Sequence, residues 1–90
     1  MKVLVVIHAG SNRLNNWGKA LVYARKKNAT IIAVVLVEGD DQAAEADQLL
    51  ARLVEQASVA EVVLISQVIS SDAFNAVEHA ALHGADMIFV

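Results

Sequence analysis

The stretch "TIIAVVLV", residues 30–37, holds the key to the fold. After Thr30 every residue is apolar and most are β-branched, with none of the alternation that a strand with one wet face shows. A run of this kind suits a strand covered on both faces of a parallel sheet. It is too short for a membrane span, which takes about 20 apolar residues. A second run of the same character, "VLVVI" at 3–7, opens the chain. Between the two lie a polar turn, "HAGSNRLNN", and then Leu14, Trp17, Leu21 and Ala24 at offsets of three, four and three. That spacing predicts a helix with one apolar stripe, ending near Asn28. Arg25, Lys26 and Lys27 fall in its last turn, where cations complement the helix dipole.

The same alternation continues toward the C-terminus. "EGDDQ" breaks the second strand and puts acids before the next helix, where its dipole favours them. Ala46, Leu49, Leu50, Leu53, Val54 and Ala57 form that helix's expected stripe. A third strand is expected over Glu61–Ser66, followed by "QVISSD" as a connection whose serines and aspartate suit an N-cap. Phe74, Val77 and Ala81 mark a third helical stripe, Gly84 is placed to cap that helix in the left-handed conformation, and Met87–Val90 reads as a fourth strand. The order is βαβαβαβ. It predicts one three-layer α/β/α domain over residues 1–90 with a four-stranded parallel sheet.

Composition narrows the function classes. Of the 90 residues 57% are apolar, and the net charge is −3 with seven Lys and Arg, which argues against a nucleic-acid partner. There is no cysteine, so disulfides, thiolate nucleophiles and Cys-ligated zinc do not arise. Lys2 is followed by only five apolar residues before His8, unlike a secretory signal, so the expected setting is cytoplasmic, without membrane insertion by this segment.

In an open parallel sheet, ligands bind beyond the C-terminal ends of the strands. Three loops therefore come into question: "HAGSNR", "EGDD" and "SQVISSD". In the first, Gly10, Ser11 and Asn12 precede a helix whose free N–H groups suit a phosphate, although any strand-to-helix turn uses the same residue types. His8 ends the first strand and either bonds a backbone group or faces a ligand. The candidate nucleotide or anion site is His8, Ala9, Gly10, Ser11 and Asn12, with Val37 and Glu38 at the end of the second strand. Neither a dinucleotide fingerprint nor a P-loop is present. A phosphorelay receiver would need acids where Ile7-His8 and Ser66-Gln67 are expected to end strands one and three. Glu38, Asp40, Asp41, Glu45 and Asp47 are explained by the helix dipole without a metal. His79 and His83, at i and i+4, are expected opposite the third stripe and facing solvent rather than a metal. Ser11, Ser66, Ser70 and Ser71 have no nucleophile elbow or triad, and the reading is non-catalytic.

Three segments together resemble the universal stress protein family: "KVLVVIHAGS", "ALVYARKKNATIIAVVLVE" and "DAFNAVEHAALHGADMIFV". The resemblance implies the fold shared with adenine nucleotide alpha hydrolases, ATP or another adenine nucleotide as ligand, and a dimerising, non-catalytic stress-response or regulatory role. Three features depart from the family. His8 stands where ATP-binding members carry an aspartate, and the stretch between strands two and three is abbreviated. The family's phosphate-binding Gly-x2-Gly-x9-Gly pattern follows the fourth strand, the strand in which this chain stops, so ATP binding by the family's route does not carry over to these residues. The expectation is a chain abbreviated or truncated at Val90, with the edge Met87–Val90 covered by a second copy or by a larger parent protein. An alternative resemblance, to electron-transfer flavoprotein subunits over "VLVVIHAGSNRLNNWGKALVYARK", implies a flavin-binding redox domain. A sulfur-relay subunit of related topology would carry a cysteine.

Overall fold

In the computed structural model, which describes residues 1–10 and 15–89, four strands form one all-parallel sheet. They are β1 (Lys2–His8), β2 (Thr30–Val37), β3 (Leu64–Ser70) and β4 (Met87–Phe89). The helices α1 (Asn15–Lys27), α2 (Ala43–Val59) and α3 (Ala76–His83) connect them, and the spatial order is β3-β2-β1-β4. The two runs without alternation, in β1 and β2, are the inner strands. β1 pairs with β2 from Lys2↔Thr30 to His8↔Leu36, and with β4 only over Val3–Val5.

Alternate residues of the inner strands serve two cores. Val3, Val5, Ile7, Ile31, Ala33 and Val35 pack under α1 and α2, which contribute Trp17, Ala20, Ala24, Ala46, Leu53 and Ala57. Leu4, Val6, Ile32, Val34 and Leu36 face the other side beside Ile69 of β3, where Ala80 of α3, Phe74 and Ala85 cover them. The largest side chain, Trp17, is buried and donates its indole N–H to Oε1 of Gln56 at 2.6 Å, tying α1 to α2. α1 ends at Asn28 in the left-handed conformation (φ 54°), with the Ala29 N–H returning to Ala24 O.

Two expectations are corrected. β3 lies four residues later at its C-terminal end than the apolar run suggested. Glu61, with φ 59°, belongs to the turn that closes α2, and the strand runs on through "SQVIS". An edge strand need not be apolar on both faces, so its polar residues read as a loop. The third helical stripe is also displaced. Phe74 precedes α3 in extended backbone, Val77 and Ala81 are exposed, and the buried residue is Ala80, flanked by half-buried His79 and His83. The helix starts at Asn75, whose side chain caps the Glu78 N–H at 3.1 Å, and this sets the inward face about one residue away from the predicted one. Val54 likewise faces outward. Gly84 caps α3 at φ 69°, as expected.

α3 has only two turns, so its cap matters. Asn75→Ala is expected to cost about 1 kcal/mol and to speed amide exchange in residues 76–83 more than in α1 or α2, as hydrogen-exchange mass spectrometry would measure.

Candidate functional site

The strand order places the crevice. β1 leaves the sheet toward α1 on one face, whereas β4 is reached through α3 on the other, so the connections diverge between β1 and β4. Beyond Val5, β1 extends past its described pairing with β4, and of Val6–His8 only His8 is exposed.

The Ala9 N–H donates to Leu36 O at 2.8 Å, which carries the β1–β2 ladder one residue beyond His8. His8 is exposed and Ala9 buried. Gly10 turns the chain with φ +80°, a conformation that glycine adopts without strain. Val37 is half-buried opposite Ser70, and Glu38 is exposed with its N–H bonded to Oε1 of Gln42 at 2.8 Å. The structure therefore brings together His8, Ala9, Gly10, Val37 and Glu38 at the ends of β1 and β2. Ser11 and Asn12 lie outside the described residues.

The sequence reading did not place two residues beside Gly10. A methyl group at Gly10 would lie 3.3 Å from Glu45 Oε2 and 3.4 Å from Gln42 Nε2, so the start of α2 closes over the turn. The only available signal was their position just after "EGDD", which fits ordinary helix initiation equally well. Their chemistry qualifies the expected anion site. Glu45 repels a phosphate on the α2 side of Gly10 but accepts hydrogen bonds from hydroxyl or amino groups.

The third candidate loop is corrected in the same way as β3. Ser66–Ser70 are strand, and the connection begins at Ser71. Ser70 Oγ donates to Asp72 Oδ1, and this bond holds the Asp72 carboxyl below its ordinary range. The position that ends β3 is thus Ser70, not Ser66-Gln67, while β1 still ends on Ile7-His8 without the acidic pair of a receiver.

His79 and His83 do not face solvent as expected. Their rings are 4.5 Å apart, the His79 ring is 5.4 Å from Phe74, and both side chains lean toward the sheet. Among the described residues no group of three or more His, Asp or Glu is arranged to hold a metal. A concavity of about 290 Å³ opens at the opposite, N-terminal end of the sheet, lined by Arg25, Asn28, Thr30 and Glu61. Its position is the reverse of that at which parallel sheets hold ligands. No family model, curated protein or solved structure matches this chain. Among the described residues no helix is long and apolar enough to cross a membrane.

Proposed function

We propose that this chain is a non-catalytic ligand-binding module of the universal stress type, taking an adenine nucleotide at the mouth of β1 and acting as a regulatory unit. The observation that carries the reading is the divergence of connections between β1 and β4, with the Gly10 turn following the end of β1. The three segments that resemble the family supply the ligand class. Glu45 and Gln42 refine the pose: Glu45 accepts from ribose hydroxyls or the amino group of the base, Gln42 Nε2 donates to a ribose oxygen, and the phosphates lie away from Glu45.

In this reading a second copy pairs along the outer edge of β4, where Met87 and Ile88 remain exposed. Light scattering with gel filtration is expected to give a dimer, and a monomer at every concentration counts against the pairing.

Ligand identity is tested by native mass spectrometry and calorimetry with ATP, ADP, adenosine and inorganic phosphate. Adenine compounds are expected to bind and phosphate alone to bind weakly, with Gly10→Val reducing affinity at least tenfold by forcing a strained backbone and crowding Glu45. Absence of adenine binding at millimolar concentration would sink the proposal. A bound flavin, seen by its visible absorbance, would favour the electron-transfer alternative.

A further inference from the structure

α3 is the helix that covers the second face of the sheet, over Leu4, Val6, Ile32, Val34 and Leu36. Its inward side carries Ala76, His79, Ala80 and His83, an unusual lining for an apolar contact. Phe74, His79 and His83 form a row of rings, with centroids 5.4 and 4.5 Å apart. Nε2 of His79 is sealed from solvent and has no hydrogen-bond partner. A sealed nitrogen leaves no open coordination position for a cation. It does tolerate a neutral imidazole far better than an imidazolium, whose extra N–H would be buried without an acceptor.

We propose that the His79–His83 pair is an acid-sensitive latch, neutral when α3 is docked, whose protonation frees α3 and uncovers the Leu4/Val6/Ile32/Val34/Leu36 face of the sheet.

The charges around the pair do not relieve the buried proton. The residues facing α3 from the sheet are Leu4, Val6, Ile32, Val34, Leu36 and Ile69, none of them titratable, and the polar residue of β3 on this side, Gln67, carries no charge. Glu78 is exposed on α3, and Asp72, in the preceding turn, is engaged by Ser70. Lys2 Nζ donates to the His83 carbonyl at 3.3 Å, and Asp86 accepts from the Lys2 backbone N–H at 3.0 Å. Among the described residues no carboxylate bonds either imidazole.

Burial first, and the neighbouring His83 charge second, hold the His79 pKa below its ordinary 6.5. The unfolded or undocked state therefore binds more protons than the docked one. The stabilisation is complete above pH 6.5 and is lost progressively as pH falls from there toward the lowered value. Each unit of depression shifts the opening equilibrium about tenfold.

Hydrogen-exchange mass spectrometry between pH 7.5 and 5, corrected for intrinsic exchange rates, tests the latch. Amides of 76–83 are expected to lose protection several-fold on acidification while those of β1 and β2 keep theirs. His79→Phe retains a ring beside Phe74 and should remove the pH dependence. Equal acid sensitivity in His79→Phe, or unchanged protection in the wild type, overturns the proposal. Proton NMR titration of the wild type avoids any folding defect in the variant: a His79 midpoint below 6.5 is expected, and one at or above 6.5 refutes the latch. Neither readout depends on nucleotide binding.

Discussion

Trp17→Ala is expected to lower the unfolding free energy by about 3–5 kcal/mol, a large fraction of the roughly 5–13 kcal/mol that a domain of this size has. Trp17 is 2% exposed and sits in the core shared by α1, α2 and the sheet. Alanine would leave a cavity that the surrounding strands, fixed by their ladders, cannot close. It would also remove the indole N–H that reaches Gln56 across the α1–α2 seam. Trp17→Phe separates the two contributions. It keeps an aromatic ring in the core but removes the hydrogen bond, whose exposed acceptor turns to water, so a cost near 1 kcal/mol is expected beyond the loss from the smaller ring. Urea melts followed by circular dichroism measure both. A loss under about 1 kcal/mol for the alanine variant would mean that Trp17 does not lie between the helices and the sheet, against every large-to-small precedent for such a site.

A still larger effect is expected for Val34→Asp. Val34 is fully buried in β2 between two other strands and beneath α3, in a core cluster of apolar side chains. Burying an unpaired charge costs several kcal/mol even after relaxation, so the variant should lack a cooperative unfolding transition at neutral pH. Val68→Asp is the matched control. Val68 lies in β3, at the edge of the sheet, and is 41% exposed. Its aspartate can remain hydrated, and a cost of about 1 kcal/mol or less is expected. Comparable losses in the two variants would contradict the strand order, because they would require β3 to be as enclosed as β2.

The legibility of each element followed its enclosure. β1 and β2 are covered on both faces, and continuous apolar runs announced them almost to the residue. β3 has an open edge, so its segment "SQVIS" carries polar residues and resembled a connection. α1 and α2 offered long stripes, whereas α3 is two turns long and carries apolar residues on more than one face, which leaves its phase ambiguous. Only the Asn75 cap resolves that phase, and with it the inward turn of His79 and His83.

The candidate site divides in a similar way. The placement of its β1 half was legible because His8, Ala9 and Gly10 follow directly on a strand whose apolar run fixes where it ends. Its α2 half was not. Gln42 and Glu45 are more than thirty positions from Gly10 in the chain, and nothing local to either segment encodes their approach.

The amino-acid order alone was enough to specify parallel strands alternating with helices in one small α/β unit, because the 2.0 and 3.6 periodicities are local properties of the backbone. Tertiary structure decided the strand order, the edge position of β3, the carboxylate beside Gly10 and the sealed Nε2 of His79. Each of these depends on which distant surfaces exclude water together, a matter of packing in space that no short window of sequence contains.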